Sequence, residues 1–123
     1  MSSTIQTERA IHHQVTQIGI ADIVAYLLSN LGPTMTTALA GKSLQTIRRY
    51  AKGALDVPET AEKQLRDAYH VFTYLAQVDS PATVRAWFMG MNPQLDDKSP
   101  IEELVGGHPS DVLAAAKAFV TGG

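Results

Sequence analysis

The sequence contains no cysteine, so it can form neither a disulfide bond nor a cysteine-ligated zinc site. It also lacks any apolar run that approaches the ~18 residues of a membrane-spanning helix. Its first residues hold no apolar stretch of signal-peptide length. The sequence therefore predicts a soluble, cytoplasmic protein that has no membrane among its partners.

An excess of positive charge is also missing. Ten Lys and Arg residues stand against twelve Asp and Glu residues, which gives a formal net charge of −2. This balance excludes a polybasic chain that coats nucleic acid, so any DNA binding has to use a local patch. Apolar residues make up 45% of the 123 residues, enough for one compact domain or for two small helical units that share a core.

Strand-like alternation of apolar and polar residues is absent, whereas apolar residues recur at helical spacing along the chain. The pattern predicts an all-α fold of about seven helices. Residues 9–57 are predicted to form a helix-turn-helix unit that begins with helical sequence interrupted at Gly19. Residues 58–123 are predicted to form a long connecting helix, opened by Pro58, and a small C-terminal unit. Both units are expected to share that long helix.

The stretch 31–53, LGPTMTTALAGKSLQTIRRYAKG, has the pattern of a helix, a tight turn and a second helix. Pro33 can open the first helix, Gly41 breaks it, and Ser43 is a suitable N-cap for the second. Gly53 then ends the second helix. The residues predicted to face inward are Met35, Ala38 and Leu39 on the first helix and Leu44, Ile47 and Ala51 on the second.

The outward residues of the second helix suit DNA recognition. Gln and Thr near its start can reach base edges in a major groove, and Arg and Lys can hold phosphates or bond guanine. From Lys42 to Gly53 there are four positive side chains and no acid. An ordinary amphipathic helix pair with a solvated basic face gives the same pattern and stays open as an alternative. The candidate DNA-binding residues are Lys42, Ser43, Gln45, Thr46, Arg48, Arg49 and Lys52.

Two weaker motifs do not carry function. The tripeptide Gly41-Lys42-Ser43 is not a phosphate loop, because Thr36 stands where that motif needs its first glycine and helical sequence precedes it. His12 and His13 are adjacent and would point about 100° apart on a helix, with no third ligand at a recognisable spacing. We expect solvent-facing histidines, and the sequence predicts no metal and no cofactor.

The chain also lacks the signatures of an enzyme, such as a cysteine nucleophile, a nucleophile elbow or a paired-acid motif. His108, Ser110 and Asp111 stand close together in sequence, but their position predicts the start of a helix. We therefore expect no catalytic residues in this chain.

The second half holds a spaced set of structural residues: Trp87, the turn Asn92-Pro93 with Leu95, the helix start Ser99-Pro100-Ile101 with Leu104 and Gly107, and a closing helix around Val112. This set resembles the toxin-binding domain of the Xre/MbcA/ParS antitoxin family. Members of that family carry an Xre-type helix-turn-helix upstream, in the place that residues 31–53 occupy. The chain departs from the family at Asp97, where members often have glycine, a change that can alter the local turn.

The resemblance implies an antitoxin that neutralises a RES-class toxin, which consumes or transfers from NAD, by covering the active-site cleft of the toxin. It also implies repression of its own operon, so the expected partners are the cognate toxin and operator DNA. Because specific DNA sites usually have two half-sites, we expect a homodimer or a toxin-bridged hetero-oligomer. A stand-alone helix-turn-helix regulator or phage-type repressor, dimerised by its C-terminal half, is the alternative.

The residues expected to contact the toxin combine acids with apolar side chains. Residues 96–111 hold five acids against Lys98, a surface that a basic or NAD-binding cleft would attract. A solvated acidic face gives the same pattern. Helical spacing predicts that Val84, Trp87 and Met91 lie in the core, and one of Phe88 and Met89 is expected to be an exposed anchor. The candidate toxin-binding residues are Phe88, Met89, Asp96, Asp97, Glu102, Glu103 and His108.

Overall fold

A computed structural model describes residues 18–122 of the chain. Within that range it contains seven α-helices and no strand, so the predicted all-α fold class is confirmed. The helices are α1 (Ile20–Asn30), α2 (Pro33–Ala40), α3 (Leu44–Ala51), α4 (Glu59–Ala76), α5 (Pro81–Met89), α6 (Pro100–Val105) and α7 (Pro109–Thr121), with a 3-10 turn (Pro93–Leu95) between α5 and α6. The helical sequence predicted before Gly19 and the pair His12-His13 lie outside the described residues.

Serine and proline set the starts of most helices. Proline occupies the first turn of α2, α5, α6 and α7, where its missing N–H is not needed. Ser43, Ser80 and Ser99 cap α3, α5 and α6, and each side-chain oxygen accepts a hydrogen bond of 3.2 Å from the backbone N–H three residues later. The capping signals seen in the sequence therefore act as helix starts in the structure.

The long helix α4 lies at the centre of the molecule. It packs against α1, α2, α5, α6 and α7. Its buried residues recur at helical spacing and form one stripe along the helix, and Ala76 at its end is partly buried. The buried residues of α4 are Ala61, Leu65, Ala68, Val71, Phe72 and Leu75.

A single buried core runs through the described residues and joins the two predicted units. Besides sharing α4, the units touch directly, because α2 packs on α6 and α1 packs on α5. The start of α1 is tied to α4 by Arg66, whose Nη1 donates a 3.0 Å hydrogen bond to the carbonyl oxygen of Ile18. The division of the chain at residue 57 stays a prediction, but the core continues across it.

Two inward assignments are wrong. Ala38 is exposed, and Thr36 is buried in its place, with its hydroxyl donating a 2.7 Å hydrogen bond to the carbonyl oxygen of Gly32. Met91 is also exposed, because α5 ends at Met89 and the extended backbone of Gly90 (φ −83°, ψ 156°) takes the chain off the helix. The helical spacing that placed Met91 in the core no longer applies after that point.

Candidate functional site

Residues 31–53, predicted to form a helix-turn-helix, contain two helices joined by a short turn. α2 ends at Gly41, which takes the left-handed conformation (φ 64°) that glycine adopts without steric cost. Ser43 is extended and starts α3. α3 ends at Ala51, and Gly53 again has positive φ (71°) two residues later. Two eight-residue helices joined by a three-residue turn therefore present α3 at the edge of the fold.

α3 is held in place by a narrow buried face. Ile47 and Tyr50 are buried, whereas Leu44 and Ala51, predicted to face inward, are only half-buried. Tyr50 was not assigned from the sequence, although it lies three residues after Ile47 on the same side of the helix. This face packs on α1 and α2, which leaves the other side of α3 in solvent.

The seven candidate DNA-binding residues lie on that free side or at the start of α3. Thr46 is half-buried and the other six are exposed. Ser43 caps the helix and its hydroxyl lies 3.1 Å from that of Thr46, so these two polar groups are engaged within the chain. Within residues 18–122, no carboxylate lies within 4.0 Å of any of the four cations. The exposed residues are Lys42, Ser43, Gln45, Arg48, Arg49 and Lys52.

Phe88 and Met89, the two residues considered as an apolar toxin anchor, differ in their exposure to solvent. Phe88 has no exposed surface, so its assignment as a toxin-binding residue is wrong. It packs between Phe72 and Trp87, with ring centroids 5.8 and 5.3 Å away. Met89 is the next residue on α5 and leaves 60% of its surface exposed. Only Met89 of this pair is available to a partner.

The predicted acidic surface is partly neutralised within the chain. Glu103 is half-buried, and its carboxylate lies 3.6 Å from Lys98 Nζ and 3.2 Å from His108 Nδ1. Glu103 and His108 therefore interact with each other, and Glu103 is poorly placed to reach a partner. The other predicted acids, Asp96, Asp97 and Glu102, are exposed.

An apolar groove lies beside α7 and was not predicted from the sequence. It encloses about 320 Å³. Met91 is 81% exposed at its edge, and Phe119 is 43% exposed. Met91 was assigned to the core by helical spacing, and the glycine at position 90, directly before it, is the sequence signal that could have separated it from that pattern. The groove is lined by Trp87, Met91, Asn92, Pro93, Gln94, Ala115, Ala118 and Phe119.

A second, shallower hollow lies where α2 meets α6. It encloses about 290 Å³ and is lined by Ala38, Ile101, Glu102 and Val105. Val105 is 43% exposed there, the same fraction as Phe119. This hollow gives a comparable exposed apolar position on another side of the molecule.

The basic helix and the groove have different structural neighbours. α3 packs on α1 and α2, whereas α7 packs on α4, α6 and the 3-10 turn. The two surfaces are therefore built on separate elements, and the shared core is what links them.

Other site chemistry is limited in the described part of the chain. Residues 18–122 contain no cluster of three or more His, Asp or Glu side chains that could hold a metal ion. No helix within those residues is long and apolar enough to cross a membrane. Burial and the neighbouring Tyr69 raise the pKa of Tyr26, which packs edge-on against Tyr69 and Phe72. Tyr26 thus belongs to the aromatic packing and to neither candidate surface.

No family model and no curated protein matches this chain. Among solved structures, it is similar to a chain in the crystal structure of the M. tuberculosis MbcT–MbcA toxin–antitoxin complex. The TM-score is 0.73 and the sequence identity is 20%, over 85% of this chain and 96% of that chain. At this identity the likeness establishes a shared fold, and this all-helical chain has the fold of a component of a toxin–antitoxin complex.

Proposed function

We propose that this protein is the antitoxin of a toxin–antitoxin pair and has no catalytic activity of its own. The observation that carries the proposal is the fold likeness to a chain of the MbcT–MbcA complex over nearly all of that chain. The antitoxin-like residues in the sequence, from Trp87 to Val112, lie in the same C-terminal helices that expose the groove and the acidic side chains. Fold and sequence pattern thus support the same function.

The toxin partner is proposed to be of the RES class, which uses NAD. In this mechanism the C-terminal unit covers the active-site cleft of the toxin and excludes NAD from it by steric occlusion. Exposed acids at Asp96, Asp97 and Glu102 favour a positively charged partner surface. Met89 supplies an exposed apolar contact near them in sequence.

The proposed second activity is repression of its own operon through α3. The exposed Arg48, Arg49 and Lys52 would contact phosphates, and Gln45 would reach base edges from the first turn of the helix. Thr46 would reach them less freely, since it is half-buried. One α3 helix covers one half-site, so the operator-bound form would be a homodimer or a toxin-bridged hetero-oligomer.

The alternative is a stand-alone transcriptional regulator or phage-type repressor. The exposed, cationic α3 at the end of a helix-turn-helix favours it independently of any toxin. In that case the C-terminal unit would serve to join two copies of the chain.

A tagged pull-down from the native cells, with bound proteins identified by mass, separates these functions. We expect a stoichiometric partner whose NAD-consuming activity is silent in the complex and appears after separation. A chain that elutes alone or as a self-dimer would instead favour the regulator, and salt-dependent binding to its own promoter would then support it. Turnover of NAD by the purified chain alone would overturn both proposals.

A further inference from the structure

The groove beside α7 has a fixed floor and an exposed apolar edge. Trp87 is held from behind by the fully buried Phe88 and lies 6.3 Å from the ring of Phe119. Met91 projects from the edge with most of its surface in solvent. Exposed apolar side chains gathered around a concave surface are typical of an interaction site. A floor that is already packed reduces the ordering cost of binding.

Three exposed acids lie close in sequence to the residues that line this groove. Asp96 and Asp97 are exposed and follow directly after the lining residue Gln94 and the buried Leu95. Asp111 is exposed and lies one helical turn before Ala115, which lines the groove, so it is on the same face of α7.

The cations of this region do not neutralise the groove. Lys98 pairs with Glu103 at 3.6 Å. Lys117 is two residues from Ala115, so it projects from a different side of α7. Even with Lys117 and the exposed Arg85 of α5 counted, Asp96, Asp97 and Asp111 leave an excess of negative charge among the residues next to the groove in sequence.

We propose that this groove docks an apolar side chain carried by a positively charged segment of the partner protein. This chain supplies the receptacle and the partner supplies the anchor, flanked by Lys or Arg. The volume of about 320 Å³ is at the low end for ligand pockets, which suits one or two large side chains better than a cofactor. The assignment of that partner as the toxin rests on the proposed function, whereas the chemistry of the groove does not.

A second copy of the chain fits the groove less well. In a symmetric dimer the same patch meets itself, so acids beside the groove in one copy lie near the same acids in the other. Asp96 and Asp97 would then repel their counterparts, whereas a cationic segment would be attracted by them. Charge complementarity therefore selects a basic partner.

Trp87 is the single tryptophan of the chain, so its fluorescence reports directly on the groove. The full chain would be titrated with three tryptophan-free synthetic peptides of equal length, built from Lys and Leu, from Glu and Leu, and from Lys and Ser. We expect a saturable change in Trp87 emission with the Lys–Leu peptide and at least about tenfold weaker binding of the others. Equal binding of the Glu–Leu or the Lys–Ser peptide would overturn the proposal.

Matched variants locate the binding site. Met91→Ser removes an exposed apolar side chain from the groove, and Val105→Ser removes one from the hollow between α2 and α6. We expect Met91→Ser to weaken the Lys–Leu peptide about tenfold and Val105→Ser to leave it unchanged. Equal effects of the two variants, or none, would show that the peptide binds elsewhere and would overturn the proposal.

The acidic contribution is tested by a double variant, Asp96→Asn with Asp97→Asn, because asparagine tolerates the left-handed backbone of both positions. Asp56→Asn, an exposed change on the loop after α3, is the control. We expect weaker binding and a smaller salt dependence only in the double variant. An unchanged salt dependence would overturn the charge assignment.

The proposal and the proposed function can fail separately. If the peptide titrations succeed but no toxin is recovered, the groove remains a docking site and the antitoxin function fails. If toxin binds and Met91→Ser leaves that complex at full affinity, the groove proposal fails and the antitoxin function stands. Self-association that disappears in Met91→Ser would identify a second copy as the occupant and overturn the basic partner.

Discussion

The basic helix and the apolar groove differ in how they are built. α3 displays its cations on one regular helix, positioned by the two buried residues Ile47 and Tyr50. The groove combines residues from the end of α5, the 3-10 turn and α7, and it exists only where those elements meet. A surface on one helix follows from local periodicity, whereas a surface between elements depends on where each helix stops.

The two surfaces nevertheless depend on the same core. α3 and α7 have no neighbouring element in common, but α3 packs on α1 and α2, which both pack on α4, and α7 packs on α4 directly. The buried residues form one continuous cluster from α1 to α7. We therefore expect a substitution that removes packing beneath α3 to lower the stability of the core around α7 as well. Measuring both ends of the molecule tests whether they unfold as one unit or as two.

The largest effect is expected from Ile47→Ala. Ile47 is fully buried on α3, and removal of a buried isoleucine side chain lowers the free energy of unfolding by about 2–5 kcal/mol. Because the core is continuous, the fluorescence of Trp87 at the far end should report unfolding at the same, lowered urea concentration as the helical circular dichroism.

The control for this variant is Gln45→Ala, an exposed change on the same helix, which should leave the urea midpoint in place. If the circular dichroism of Ile47→Ala shows two unfolding steps while the urea midpoint of Trp87 fluorescence is unchanged, the two halves unfold independently. The predicted division at residue 57 would then also be a division in stability.

The next effect is on DNA binding by Arg49→Ala. Arg49 is exposed on α3, and no carboxylate lies within 4.0 Å of it in residues 18–122. If it contacts a phosphate, its loss should weaken binding to promoter DNA and reduce the slope of log affinity against log salt by about 0.9. Lys63→Ala removes an exposed cation from α4 and is the control. Equal slopes for Arg49→Ala and the parent chain would remove Arg49 from the interface.

Most of the fold could be predicted from the sequence because its helix boundaries are marked locally. Pro33, Ser43 and Ser99 begin helices in the structure as their residue types suggested. The wrong predictions concern residues whose burial is decided by tertiary packing. Thr36 is buried because its hydroxyl bonds the carbonyl of Gly32 and needs no water, a contact that hydrophobic spacing cannot indicate.

The candidate sites divide in the same way. The exposed cations of α3 lie where helical periodicity placed them, but whether they bind DNA stays a prediction. Phe88 was a candidate contact residue, but it is buried and packs against Phe72. Met91 was assigned to the core, but it is exposed because the chain leaves α5 at Gly90. The ion pair of Glu103 with Lys98 and its 3.2 Å contact with His108 depend on the fold of the loop and could not be predicted from the sequence alone.

A smaller loss of stability is expected when the N-cap serine of α3 or of α6 is replaced, and its size should differ between the two helices. Ser43 and Ser99 accept cap hydrogen bonds of the same length, 3.2 Å, but Ser43 is exposed and Ser99 is 8% exposed. We expect Ser99→Ala to lower stability by about 1–2 kcal/mol and Ser43→Ala by about 0.5–1 kcal/mol, because water can replace the lost acceptor only at Ser43. Thermal unfolding of the two variants measures this difference. A larger loss for Ser43→Ala would show that burial does not set the value of these caps.

The smallest effect is expected at two left-handed turns, one in each half of the chain. Asp97 has φ 64° and follows Asp96 at φ 54°, whereas Gly41 between α2 and α3 has φ 64°. A side chain disfavours this conformation by about 1–2 kcal/mol, a cost that glycine avoids. Glycine in turn lowers stability by about 0.5–1 kcal/mol, because it raises the conformational entropy of the unfolded chain. Asp97→Gly should therefore stabilise the protein by about 0.5 kcal/mol, and Gly41→Ala should destabilise it by a similar or larger amount.

Thermal unfolding of these two variants, with Asp97→Asn as a third, separates conformation from charge. The backbone N–H of Asp97 donates a 2.9 Å hydrogen bond to the carbonyl oxygen of Asn92, a contact that does not use the side chain and should survive in Asp97→Gly. Asn removes the charge next to Asp96 and keeps a side chain. If Asp97→Asn stabilises the protein as much as Asp97→Gly, repulsion from Asp96 dominates, and the effect of residue 97 on stability is electrostatic rather than conformational.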